Sequence, residues 1–275
     1  MRMLRFLLIL VMGLSASLRL VSAEVAEDGY IRENNIAYRD KNSPGWDEYM
    51  KERCVLDLYR PAGKQGYSTV VWFHGGGLRG GNKAVPWQLQ KKGIAVVAVN
   101  YRLFPQVECP AYIEDAAAAV AWTFKNIQRY GGDPGAIHVS GHSAGGYLTS
   151  MVGLDKSYLA DHGIDADRIA SLVPFSGHTI THFTPREERG ISDRRAIVDK
   201  FAPLFHVRED SPPLVLITGD RELELLGRYE ENAYFWRMMQ VAGHKRTQLH
   251  ELGGFDHGGM AAPAFGILLK VLRRK

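Results

Sequence analysis

The chain has 275 residues, 45% of them hydrophobic and 23% charged, with two cysteines and a formal net charge of +4. That length suits one large domain, and the composition excludes a disordered or fibrous chain; two cysteines are too few for a disulfide scaffold or a four-ligand zinc module. Arg2, Arg5 and Arg19 lie in the first 23 residues, which hold no acid, so without that segment the charge falls to +1 and leaves no electrostatic footprint for nucleic acid.

In chain order, residues 1–23 read as a secretory signal: a basic start, an apolar run from Phe6 to Leu14, and Val21-Ser22-Ala23 as a small-residue cleavage site. The apolar run is far shorter than the ~20 residues of a spanning helix. Cleavage before Glu24, no stable membrane span afterwards, and a secreted or periplasmic protein are therefore expected. From Ile36 onward, strands are predicted at 54–59, 69–74, 94–101, 136–140, 169–175, 214–219 and 247–252. Several are apolar at every position, as strands buried on both faces of a sheet are. Between them, Ile113, Ala117, Val120, Phe124 and Ile127 recur at helical spacing, a further helical run starts at Gly146, and 229–241 and 259–273 read as helices. The class is α/β, with a mostly parallel sheet covered by helices. Residues 177–211, rich in charge, His and Pro and without a strand pattern, interrupt the series as a lid or binding loop would.

Gly141-His142-Ser143-Ala144-Gly145 lies between a predicted strand and a predicted helix. There the G-x-S-x-G spacing puts a serine on a sharp turn that only glycine neighbours permit, and the N–H of Ala144 points at the same place from a helix N-terminus. His74-Gly75-Gly76-Gly77 closes the strand at 69–74 and offers the amides of Gly75 and Gly76 as the second half of an oxyanion hole. The overlapping Gly75-x-Gly77-x-x-Gly80 also fits a dinucleotide fingerprint, but residues 79–86 make a poor helix start, so a nicotinamide site is rejected. His257 lies on the glycine-rich loop 253–259. His178 and His182 carry no zincin pattern, and no metal is assigned.

With HGGG at 74–77, YRL at 101–103, CPAYIEDAAAAVAW at 109–122, GHSAGG at 141–146, SPPLVLITGD at 211–220 and GFDHGGM at 254–260, the chain resembles α/β-hydrolase fold serine carboxylesterases. It is similar to the hormone-sensitive-lipase-like and bifunctional feruloyl/acetyl esterases. The resemblance implies one α/β-hydrolase domain over 24–275 with 177–211 as a small cap, and a Ser–acid–His order along the chain. Ser143 is then the nucleophile, His257 the base, and Gly75, Gly76 and Ala144 the oxyanion donors. Two carboxylates compete for the acid: counting G-x-x-D from Gly219 favours Glu222, while Asp220 has the more usual side chain. In the family's sheet the second strand lies antiparallel beside the fourth, which would bring Cys54 and Cys109 to one end and permit a disulfide. The reaction implied is hydrolysis of short acyl esters, acetyl or feruloyl among them, of small-molecule or carbohydrate-linked substrates through an acyl-enzyme with no cofactor. An arylformamidase or peptidase with the same triad, or an inactive hydrolase fold used for binding, are the alternatives. Arg102 and Asp115 are expected to form a structural ion pair.

Overall fold

The computed structural model describes residues 29–225 and 227–273; the expected signal segment lies outside them. The elements in chain order are β1 (Tyr30–Ala37), α1 (Glu48–Arg53), β2 (Val55–Pro61), β3 (Tyr67–Phe73), β4 (Ala95–Val99), α2 (Ala111–Asn126), β5 (Gly132–His142) and α3 (Ala144–Leu154). Then follow α4 (Lys156–Ala160), β6 (Ser171–Phe175), α5 (Phe183–Glu188), β7 (Leu214–Gly219), α6 (Arg228–Val241), β8 (Thr247–Leu252) and α7 (Ala261–Leu272). The eight strands form one sheet in the order β1-β2-β4-β3-β5-β6-β7-β8. Only β2 runs against its neighbours, with Leu56 opposite Val99; from β4 to β8 every pair is parallel.

Successive side chains of a strand point to opposite faces, and here both faces are covered. Val71 and Phe73 join Leu56, Val97, Val139 and Leu216 in a core with α2, α3 and α6. Their neighbours Val70 and Trp72 pack on the other side with Phe175, Ile217 and the α7 residues Ala264, Phe265 and Leu268. That is why these strands read as unbroken apolar runs. Helix α3 is buried at every position because it is enclosed by β5, β6 and α2, and it has small residues where the approach is closest, such as Gly146 against Gly177.

The seven predicted strands are all present. β1 escaped the sequence reading because it is an edge strand with a bulge between Glu33 and Ile36, a positive φ at Asn35, and an exposed-side pair of Glu33 with Arg60 at 3.0 Å. These features interrupt alternation and are those that edge strands use against unwanted pairing. Asp115, completely buried, accepts from both Nε and a terminal nitrogen of Arg102 at 2.8 Å and forms an ion pair with Arg39 at 2.9 Å, so the expected pair of Arg102 and Asp115 is present and structural.

The expected disulfide is absent: Cys54 and Cys109 are both free thiols. Cys54 closes α1, its N–H bonded to Met50 O at 2.7 Å. Cys109 instead follows the chain away from β4 towards α2, and its N–H is tied to Glu188 Oε2 of α5 at 2.9 Å. The sheet order does bring the two strand ends together, but the loop after Leu103 leads its cysteine to the 177–211 segment. Burial pushes each thiol up to about 12.

Candidate active site

Every candidate residue stands at the carboxyl ends of the parallel strands, where open α/β sheets carry their sites. Ser143 occupies the turn between β5 and α3 with φ 57° and ψ −115°, a conformation costly for a residue with a side chain. It is held by its N–H to Phe175 O at 2.8 Å and by Tyr147 N–H to its carbonyl at 3.0 Å. The glycines of the motif are steric necessities: a Cβ on Gly141 would meet the Gly145 backbone at 2.6 Å, and one on Gly145 would collide with the carbonyl of Phe73 at the end of β3. The side chain so presented is half-buried, and Ala144 opens α3 directly after it.

The HGGG turn lies alongside. A Cβ on Gly75 would sit 3.5 Å from that of Ser143, so the backbone of Gly75 passes directly beside Ser143. Gly76 has φ 112° and accepts from the amides of Arg79 and Gly80 at 3.0 Å, closing a turn that leaves no room for a side chain. The structure thus brings Gly75 and Ala144 together around Ser143, with Gly76 shaping the loop. After these glycines comes only a 3-10 turn at Trp87–Leu89, where a dinucleotide fingerprint would require an α-helix. His74 stacks on Tyr101 at 4.4 Å, and burial holds its ring at about 4.

His257 follows β8, and its Nδ1 lies 2.9 Å from Oε2 of Glu224. Neither carboxylate expected from the sequence takes this place. Asp220 Oδ1 accepts from Glu222 N–H at 2.9 Å and Oδ2 from Gly254 N–H at 2.7 Å, so it ties the β7 loop to the β8 loop. The Asp220 carbonyl accepts from the N–H of Glu224 at 2.8 Å, which makes 220–224 one helical turn. Residues two apart on such a turn point about 200° away from each other. Glu222 therefore faces solvent while Glu224, whose side chain is fully buried, faces His257. The strand-end count was right about the loop and wrong about its winding. Nothing in the sequence separates three carboxylates at positions 220, 222 and 224.

Burial opposes the charge on Glu224, but hydrogen bonds from His257, from Ser176 and from Gly219 N–H overcome it and hold the carboxyl at about 2. His142, the variable residue of G-x-S-x-G, faces the carbonyl of His257 with Nε2 at 2.8 Å, so that nitrogen carries the proton it donates. Its ring lies 4.8 Å from that of His257, and burial, with His257 nearby, keeps it neutral at about 4. His142 ties the loop of His257 to the turn of Ser143.

The 177–211 segment carries only α5 and a 3-10 turn at Pro203–His206, and it rests on the HGGG loop: Phe183 packs on Gly77, and Thr184 Oγ1 donates to Gly77 O. His178 and His182 are buried, their rings 4.9 Å apart, with His178 Nδ1 on Glu231 at 2.8 Å and His182 capping α5. Among the described residues no group of three or more His, Cys, Asp or Glu is arranged to hold a metal ion, and no helix is long and apolar enough to cross a membrane. A cavity of about 770 Å³ lies between the 37–44 stretch and α2, lined by Tyr38, Arg39, Trp122 and Tyr158, and none of the residues around Ser143 borders it.

In sequence, the chain is 30% identical over 219 residues to a probable isoprenylcysteine alpha-carbonyl methylesterase of Oryza sativa subsp. japonica, covering 68% of this chain and 51% of the relative. It is 29% identical over 207 residues to Esterase LipC of Mycobacterium tuberculosis, covering 68% and 50%. The chain thus spans about half the length of the curated relatives it matches. Among solved structures, a truncated carbohydrate esterase from gut microbiota superposes with a TM-score of 0.72 at 21% identity, over 90% of this chain and 97% of that one. Propionate-bound esterase Est2 of Thermogutta terrifontis gives 0.67 at 22%, over 90% and 95%. These likenesses show the α/β-hydrolase fold. Residues 56–225, more than half of the chain, match the family described as BD-FAE, and the chain belongs to that family.

Proposed function

We propose that the protein is a serine carboxylesterase that cleaves short-chain acyl esters, acetyl to butyryl and feruloyl among them, through a covalent acyl-enzyme. The observation that carries this reading is the strained Ser143 turn beside the Glu224–His257 pair. Ser143 Oγ attacks the ester carbonyl as its proton passes to His257 Nε2, and the carbonyl electrons move onto oxygen, where the amides of Gly75, Gly76 and Ala144 stabilise them. Collapse of that intermediate expels the alcohol, which takes the proton from His257. Water, deprotonated by His257, then releases the acid and restores Ser143. Glu224 holds Nδ1 and stabilises the imidazolium without accepting its proton, since four donors already keep its carboxylate ionised: His257 and Ser176, and the amides of Gly219 and Leu225.

The preference for small acyl groups rests on the slight cap, whose one helix has six residues. A related fold, the Thermogutta terrifontis esterase, is solved with propionate and with butyrate bound, which supports the same size range. Small-molecule and carbohydrate-linked esters both remain within the reading. We further propose export after removal of residues 1–23, on the pattern of that segment alone; N-terminal sequencing of protein recovered from outside the cytoplasm checks it. The main reading is tested by labelling with a fluorophosphonate, mapped by peptide mass, and by rates over p-nitrophenyl esters of two to twelve carbons, acetylated xylan and feruloylated sugars. Labelling at Ser143 with rates falling beyond four carbons is expected. An unlabelled, inactive protein would overturn it.

A further inference from the structure

We propose that Ser176, the residue directly after β6, is a positioning residue that sets the tautomer of His257 and the orientation of Glu224; this rests on the serine-esterase reading above. Ser176 Oγ lies 2.6 Å from Glu224 Oε1 and 2.9 Å from His257 Nδ1, while the other carboxylate oxygen of Glu224 lies 2.9 Å from the same Nδ1. The three groups close a triangle, and the hydrogens in it can be counted. An ionised carboxylate only accepts, so the single hydrogen of Ser176 goes to Glu224, at a distance typical of a charge-assisted O–H···O bond. What Ser176 then turns towards His257 is a lone pair. Nδ1 therefore faces two acceptors, and only the tautomer with hydrogen on Nδ1 avoids opposing lone pairs. Nε2 is left as the free base.

The backbone points the same way. Ser176 is fully buried with φ 45°, a region that glycine occupies without cost and that is strained for residues with a Cβ. The neighbouring Gly177 shows that glycine is used on this stretch where space demands it. A hydroxyl kept at a position whose backbone favours glycine calls for work by that hydroxyl. Its frame is held from both sides: Ser176 N–H donates to Ile217 O at 2.7 Å, and the buried guanidinium of Arg228 donates to Ser176 O, itself anchored on Glu231.

The test compares Ser176→Ala and Ser176→Gly with the wild type. Both lose the hydroxyl, and glycine also relieves the positive φ, so it keeps the test open should the alanine variant fail to fold. A hydrogen bond to a charged group is worth about 1.5–3 kcal/mol, so kcat on p-nitrophenyl acetate should fall roughly 10- to 100-fold in both, with KM unchanged. The downfield proton resonance of His257 Nδ1–H, which a merely structural role would leave in place, should shift or broaden in both. Wild-type kcat in the folded variants, or a lowered kcat with that resonance unmoved, would overturn the role of Ser176 while fluorophosphonate labelling of Ser143 left the esterase reading standing. Absence of labelling and activity in the wild type would overturn both together.

Discussion

Two strand-end turns of the same sheet make a useful contrast. After β5 the chain turns at once into α3, and Gly141 and Gly145 are dictated by what a side chain there would meet within a few ångströms: the backbone of the turn itself and the end of β3. After β7 residues 220–224 wind through one turn, and three of these residues are carboxylates. Which of these faces inward depends on remote partners: Gly254 draws Asp220, and Ser176 and His257 draw Glu224. A side chain aimed by its own backbone can be named from spacing. One aimed by tertiary contacts cannot.

The contrast is sharpest at the nucleophile. Ser143→Ala should lower kcat by ~10⁴-fold or more while the fold, read by circular dichroism, is kept. Residual activity near the wild type would remove the first turn from the comparison. Next come the three carboxylates of the second turn. Glu224→Gln should cost ~10³–10⁴-fold in kcat because His257 loses the partner that orients it and stabilises its cation. Glu222→Gln should change kcat by less than ~2-fold, as for an exposed residue without a bonded partner in the site. Asp220→Asn should act chiefly on thermal stability, by loosening the bond to the β8 loop. Reversal of Glu222 and Glu224 in this series would show that the turn winds the other way in solution.

A smaller effect concerns acid. Burial holds His74, His138, His142 and His178 at about 4, below the ordinary value near 6.5. The unfolded chain therefore binds more protons than the folded one between pH 6.5 and 4, and stability must fall as pH drops through that window. Glu224 behaves in the same direction lower down: with its carboxyl at about 2, its contribution is complete above pH 4.5 and is lost as pH falls towards 2. Melting temperature measured from pH 8 to 4 should be level above 7 and decline steeply below 6.5. A level curve to pH 5 would mean that these rings are reached by water. The least effect is expected from the cysteines. Alkylation in denaturant without reductant should label both Cys54 and Cys109, whereas the native protein should react slowly because Cys54 is buried, Cys109 is half-buried and both thiols are held protonated. A missing adduct pair would restore the disulfide.

Much of the arrangement was legible beforehand. Seven strands, four of the helices, the Ser143 turn, the HGGG loop and the loop of His257 all lie where spacing and apolar runs put them. β1 was missed because an edge strand with a bulge has no two-residue alternation to read. His142 and Ser176 were missed for a different reason: a histidine inside G-x-S-x-G and a serine at a strand end look like ordinary filler until the loop of His257 is brought over from β8, 115 and 81 residues further on, to meet them.

The sequence by itself determined the parallel sheet, through strands apolar on both faces, and the Ser143 turn, because the glycines that permit a strained strand-to-helix turn must be neighbours in the chain. Tertiary structure alone decided the partner of His257 and the fate of the thiols. Glu224 meets His257 because one helical turn of loop, pinned by Gly254 and Ser176, rotates Glu222 outward. Cys109 is drawn from Cys54 by a hydrogen bond to Glu188 across a separation of 79 residues. Local backbone sterics act between neighbours and are written in spacing, whereas these hydrogen bonds act between strand ends that only the folded sheet brings together.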